Sequence, residues 1–127
     1  VEAVLPKRLI PKNVRFDGTT LEVGQKRYEV KNNVYVVGMG KACPGMFEPL
    51  QSLLGNHIQR AILSIPKGSR FLVNFPLAPT VEVYEGAKDN LPDEDAFETS
   101  KRIEKMCQNL FDKDILIVLI SGGGSAL

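Results

Sequence analysis

Hydrophobic runs closed by glycine turns are the main pattern of this 127-residue chain. One run, Val34–Val37, leads into Gly38-Met39-Gly40-Lys41, and another, Ile115–Ile120, leads into Ser121-Gly122-Gly123-Gly124-Ser125. A continuous β-branched run is typical of a strand buried on both faces of a parallel sheet. The turn after such a strand lies at its carboxyl end, where open α/β sheets bind their ligands. We therefore predict two turns that open onto one phosphate-handling site.

The residues before position 32 predict an antiparallel hairpin. Apolar and polar positions alternate along Thr20–Val23 and Lys26–Val30, which flank a Gly24-Gln25 turn. We expect residues 1–32 to form a hairpin extension and residues 33–127 to form a parallel β/α core.

Strand and helix periods alternate within this core. They predict, in order, the elements Val34–Val37 (strand), Ala42–Leu54 (helix), Ala61–Ile65 (strand), Thr80–Tyr84 (strand), a helix from Pro92 or Asp93, and Ile115–Ile120 (strand). The apolar stripe of the second helix is predicted at Ala96, Ser100, Ile103, Cys107 and Leu110. The predicted fold is a three-layer, Rossmann-like α/β domain with a mostly parallel sheet and an amino-terminal hairpin. We expect it to be truncated at its carboxyl-terminal end, with a second domain absent from the chain.

Composition narrows the class of protein. The chain is 43% hydrophobic and 24% charged, with a net charge of +1, which is ordinary for a globular protein and favours neither a nucleic-acid nor a membrane partner. Cys43 and Cys107 are too few and too far apart for a disulfide framework, and we interpret them as small core residues. We expect an intracellular location, cytoplasmic or mitochondrial.

The Gly38–Lys41 turn resembles two phosphate motifs and matches neither. A Walker loop needs a hydroxyl where Ala42 stands, and the dinucleotide fingerprint needs a third glycine where Cys43 stands. What remains is a flexible turn, a helix amino end and a lysine placed to meet an anion. The alternative is that Lys41 lies on a solvent-exposed first turn of the helix and binds no ligand, and the sequence leaves both interpretations open.

The triple glycine is the more specific motif. Consecutive glycines cost chain entropy and make sense where a backbone wraps a charged group, with Ser121 and Ser125 adding hydroxyls. A strained turn without a ligand is the alternative. A serine-hydrolase elbow is disfavoured, because Leu127 replaces its last glycine and His57, the one histidine, precedes Ser125.

Polar residues also cluster between the third strand of the core and the second helix. Asp89, Asn90 and Asp93 are candidates for binding a polyhydroxy substrate or a metal, whereas Glu94 and Asp95 fit better as acids at a helix start. Lys67 and Arg70 form a small basic spot after the second strand of the core. The metal ligands cannot be chosen from the sequence.

Three of these motifs together resemble the MOFRL-type (class II) glycerate kinases, in the form of the animal branch. They are Val-Val-Gly-Met-Gly-Lys-Ala at 36–42, Glu-Gly-Ala-Lys-Asp-Asn-Leu-Pro-Asp-Glu at 85–94 and Leu-Ile-Ser-Gly-Gly-Gly-Ser-Ala-Leu at 119–127. The whole chain resembles the early part of that family's large amino-terminal domain.

The resemblance implies transfer of the γ-phosphoryl group of ATP to D-glycerate, giving 2-phosphoglycerate, at a cleft between two α/β domains and with a divalent metal, expected to be Mg²⁺. It implies that Lys41 is the catalytic lysine. It also implies substrate or phosphate contacts from Gly38, Gly40, Asn90, Asp93, Ser121, Gly122, Gly123, Gly124 and Ser125.

Two other functions stay open at this point. A dinucleotide-dependent oxidoreductase would carry an acidic residue about twenty positions past the glycines to hold the ribose, and Ile65-Pro66-Lys67 stands there instead. A non-catalytic module that binds a sugar phosphate and regulates a partner is the second alternative.

Overall fold

The computed structural model describes residues 14–31, 33–86, 94–111 and 113–120. In chain order its elements are β1 (Val14–Phe16), β2 (Thr20–Val23), β3 (Lys26–Glu29), β4 (Val34–Met39), α1 (Cys43–Leu54), β5 (Ile58–Pro66), β6 (Val81–Gly86), α2 (Glu94–Gln108) and β7 (Ile115–Ile120), with single 3-10 turns at Gly55–His57 and Arg70–Leu72. The predicted core elements are present, and β5 is longer than expected at both ends.

Four strands form one parallel sheet in the order β6-β5-β4-β7. β4 pairs with β5 on one side and with β7 on the other, so Met39 lies opposite both Ser64 and Ile120. The sequence could not give this strand order, but the α/β class with a parallel sheet and an amino-terminal hairpin is confirmed.

The strand order contains a topological switch point. From β4 the chain proceeds through α1 to β5 on one side, and it later returns through α2 to β7 on the other side. Connections that leave neighbouring strands in opposite directions open a crevice at the carboxyl edge of an α/β sheet, and ligands bind there. By this rule the crevice is expected between the ends of β4 and β7.

The two helices cover opposite faces of the sheet. Val36 and Leu63 point to the face that α1 covers with Phe47 and Leu50, all of them buried. Val37 and Ile62 point to the other face, where Met106 of α2 packs on them. Burying both faces of β4 and β5 stabilises the parallel sheet and explains the apolar runs in these two strands.

The predicted stripe of α2 is wrong in part. Thr99 and Met106 are buried, at 3% exposure each, whereas Ser100 is exposed. The helix therefore turns a face centred on Thr99, Ile103 and Met106 toward the sheet. Ile103 belongs to both versions of the stripe.

β1, β2 and β3 form a separate antiparallel sheet. β2 and β3 are the predicted hairpin, while β1 was missed because three residues give too short an alternation to detect. Val14 and Leu21 of this sheet are buried in the core on the α1 side. None of the helices in the described ranges is long and apolar enough to span a bilayer.

Candidate functional site

The turn after β4 is held in one conformation by its backbone. Gly40 has φ +100°, a left-handed value that favours glycine. Its N–H donates to the Ser64 carbonyl oxygen of β5 at 3.0 Å, and its own carbonyl accepts from the Cys43 N–H at 3.3 Å. The Gly40 amide is therefore used to fasten the turn to the sheet, and the direction in which the chain leaves β4 is fixed.

Gly38 is required by packing. A Cβ added there would lie 2.7 Å from Leu63 Cδ2 and 3.1 Å from both Cβ and Sγ of Cys43. The start of α1 thus sits directly against β4, and a glycine makes this approach possible. The predicted contact of Gly38 with a ligand stays a prediction beside this structural reason.

Lys41 follows the turn at the carboxyl edge of the sheet. It is exposed, and among the described residues no hydrogen-bond or ion-pair partner reaches it. Helix α1 begins two residues later without a side-chain cap and, within its described first turn, without an acidic residue. A helix amino end carries partial positive charge, so this end and Lys41 together favour an anion.

β7 ends at the same edge of the sheet as β4, and the second predicted turn follows it in the sequence. Ile120 pairs with Met39, so the covalent chain passes to Ser121 beside the position where β4 passes to Gly40. Ser121, Gly122, Gly123, Gly124 and Ser125 themselves lie outside the described residues, as do Asn90 and Asp93. Their predicted contacts with substrate stay predictions.

A third turn at this edge was recognised only in part from the sequence. Lys67 and Gly68 follow β5, and the Gly68 N–H donates to Oε1 of Glu85, near the end of β6, at 2.8 Å. The basic character of Lys67 was visible in the sequence. The role of Glu85 was missed, because a hydrogen bond across 17 residues depends on the strand pairing.

Cys43 is a buried, unreactive residue that follows the turn. The thiol is buried, and this burial raises its pKa to about 12, so it stays protonated at neutral pH. The prediction that Cys43 is a core residue is confirmed. In the described ranges no three His, Cys, Asp or Glu side chains are grouped as a metal site would require.

Fold and site together define an α/β protein with a candidate anion-binding edge at a topological switch point. Over residues 1–127 the chain matches the family described as "Domain of unknown function (DUF4147)", and it belongs to this family.

Curated relatives carry the name that the motifs suggested. Over 137 aligned residues the chain is 40% identical to a glycerate kinase of Homo sapiens. This alignment covers the whole chain and 26% of the relative's length. A protein of Pyrococcus horikoshii named "Glycerate 2-kinase" is 28% identical over 127 residues, or 27% of its length. The resemblance to glycerate kinases is confirmed, and the chain spans about a quarter of the length of these relatives.

Solved structures share the fold. A protein from Pyrococcus horikoshii superposes with a TM-score of 0.80 at 27% identity, covering 96% of the chain and 26% of that protein. A glycerate kinase from Thermotoga maritima superposes with a TM-score of 0.70 at 24% identity, covering 98% of the chain and 26% of that protein.

Proposed function

We propose that the protein containing this chain is a glycerate kinase, which transfers the γ-phosphoryl group of ATP to D-glycerate and releases 2-phosphoglycerate and ADP. The relatives aligned to the whole chain are named glycerate kinase or glycerate 2-kinase. The proposal includes a cytoplasmic or mitochondrial location.

One observation of the structure carries the proposal. β4 and β7 are neighbouring parallel strands in register at Met39 and Ile120, and they flank the switch point. The turn that carries Lys41 therefore follows a strand end that lies beside the end of β7, the last described residue before Ser121. Phosphate-binding turns are expected in this place in a doubly wound sheet.

Phosphoryl transfer depends mainly on positioning and on stabilising negative charge. In the proposed mechanism the Lys41 ammonium contacts the oxygens of the transferred group, whose charge is spread over them in the transition state. The amino end of α1, which has no side-chain cap, adds partial positive charge near Lys41. The fixed Gly40 turn holds Lys41 in place before substrate binds, so less ordering is needed during the reaction.

The described residues at this edge suit a phosphate group, because an exposed lysine lies beside a helix amino end. The described carboxylates include no group of three near one another. Mg²⁺ needs only one or two carboxylates besides substrate phosphates, and we derive no step from the metal. We propose substrate contacts from Asn90, Asp93 and the Ser121–Ser125 segment.

The chain is proposed to supply only one wall of the active site. We propose that residues 1–32 extend, and residues 33–127 begin, a larger α/β domain that faces a second domain across the cleft. The alignment to about a quarter of each relative supports this arrangement.

The test is an ADP-release assay of the full-length protein with D-glycerate, L-glycerate and lactate as acceptors. We expect turnover with D-glycerate, and phosphorus NMR of the product should show a phosphate on the second carbon. Turnover with none of the three hydroxy acids would refute the proposal, and a phosphate on the third carbon would refute its product.

The oxidoreductase alternative is weakened by the structure. β5 lies beside β4, as the second strand of a dinucleotide fold would, but it ends at Pro66 and is followed by Lys67. A cation thus stands where a carboxylate would hold the ribose hydroxyls.

A further inference from the structure

The turn after β5, like the turn after β4, is held by hydrogen bonds and contains a glycine with a positive φ. We call Pro66–Ser69 the β5 turn. The Ser69 N–H donates to the Pro66 carbonyl oxygen at 3.1 Å, the Ser69 hydroxyl donates to the same oxygen, and Ser69 is 5% exposed. Gly68 has φ +84°, in the left-handed region. Lys67 is therefore carried on a fixed corner of the backbone, and its own side chain is exposed.

Glu85 fastens the β5 turn to the next strand. Its Oε1 accepts from the Gly68 N–H at 2.8 Å, and Glu85 itself pairs with Ile65 in the sheet register. In the described part of the chain neither Lys67 nor Arg70 forms an ion pair with this carboxylate. Glu85 thus uses its charge on a backbone N–H and leaves the lysine ammonium available to a ligand.

The β5 turn and Lys41 share one edge of the sheet. Ser64 of β5 pairs with Met39 and also accepts from the Gly40 N–H at 3.0 Å. Lys41 lies two residues beyond Met39, and Lys67 lies three residues beyond Ser64. Because β4 and β5 are parallel neighbours, both lysines follow the carboxyl ends of adjacent strands.

We propose that Lys67 is a second anion-binding residue of this edge and that Glu85 is the positioning residue that holds the β5 turn. The group that Lys67 binds is an anionic oxygen, either of the acceptor carboxylate or of the donor phosphates. The inference rests on the proposed kinase function. Lys67 contributes to substrate affinity, whereas Lys41 contributes to the phosphoryl-transfer step.

The first experiment separates these roles by kinetics of the full-length protein, with KM measured for glycerate and for ATP in turn. Lys67→Ala should raise one of these two constants about 10- to 100-fold, as expected for the loss of a charged hydrogen bond, with kcat changed by less than about 3-fold. The substrate whose KM rises identifies the group bound. The matched control is Lys113→Ala, since Lys113 is exposed and precedes β7 at the opposite end of the sheet.

The second experiment tests whether Glu85 acts through Lys67. Glu85→Ala should raise the same KM, and Glu85→Gln should largely restore it, because the amide oxygen still accepts from the Gly68 N–H. The double variant Glu85→Ala/Lys67→Ala should be no worse than Lys67→Ala alone. If Glu85→Ala lowers the melting temperature so far that it cannot be assayed, Glu85→Asp takes its place in the same cycle.

Two results would overturn the inference. Lys67→Ala with both KM values unchanged would remove Lys67 from the site, and additive effects in the double variant would show that Glu85 does not act through Lys67. If the wild-type protein does not phosphorylate glycerate, the proposed function fails separately. Calorimetric dissociation constants for ATP and glycerate then replace KM in the same comparisons.

Discussion

At the scale of single residues, Lys41 is the position where charge matters most for the proposed reaction. Lys41→Ala in the full-length protein should lower kcat by about 10²- to 10³-fold, because one charged group that stabilises the transition state is removed. The KM for ATP should change far less. Steady-state kinetics of Lys41→Ala beside Lys113→Ala measure this, and a kcat equal to that of the wild type would exclude Lys41 from the mechanism.

Gly38 gives a second prediction, which separates packing from ligand binding. Gly38→Ala should lower the free energy of unfolding by about 1–3 kcal/mol, because the new methyl group would lie 2.7 Å from Leu63 Cδ2. In a Leu63→Ala background the added methyl should cost less, since the atom it strikes is gone. Thermal unfolding of the wild type, the two single variants and the double variant measures this double-mutant cycle. An equal loss of stability from Gly38→Ala in both backgrounds would contradict the packing role.

At the scale of elements, the sequence predicted the core strands well and the second helix less well. The Val34–Val37 run is clear in the sequence because helices pack on both faces of β4. In α2 the buried Thr99 is polar and gives no apolar signal. The apolar Cys107 and Leu110 therefore set a predicted stripe that passes through Ser100. The strand order depends on contacts between distant segments, which no local pattern contains.

The candidate site was predictable to a similar degree. Lys41 is marked by its place in a glycine turn after a strand, and Lys67 by charge at a second strand end. The hydrogen bond from Gly68 to Glu85 and the one from Gly40 to Ser64 join different strands, so they could be found only after the sheet register was known. These contacts explain why both turns are fixed.

The pairing of β5 and β6 gives a prediction about pH. Glu82 accepts from Arg60 Nε at 2.6 Å and from the Tyr84 hydroxyl at 2.5 Å. The hydrogen bond from Arg60 is the main cause that holds the pKa of Glu82 below its ordinary value of 4.5. A lowered folded-state pKa means that this stabilisation is fully present above pH 4.5 and is lost as the pH falls through the lowered value.

Glu82→Gln should therefore lower the melting temperature slightly at pH 7, with a cost of up to about 1 kcal/mol for a pair that is about a third exposed. The difference from the wild type should shrink as the pH is lowered from 5 to 3. Glu22→Gln is the control, because its ion pair with Arg27 at 3.0 Å is more exposed. A difference that stays constant over this pH range would contradict the assignment.

At the scale of the whole molecule, the described sheet leaves part of one face open. α2 packs on β5 and β6, while Leu116 and Val118 of β7 are 38% and 47% exposed. On the α1 face of the same strand Leu119 is 6% exposed. The two faces of β7 thus differ sharply, and the open one lies next to the switch point at which we place the site.

The last prediction concerns the 127-residue segment on its own. The purified segment should release no ADP with D-glycerate under conditions in which the full-length protein turns over. The segment supplies one edge of a sheet, and phosphoryl transfer needs groups that hold donor, acceptor and developing charge together; its relatives are about four times longer, since it aligns to 26% of their length. Circular dichroism checks that the segment is folded when it is assayed. Turnover by the folded segment would show that the described edge and its flanking turns are sufficient for catalysis, and the proposed interdomain site would then be wrong.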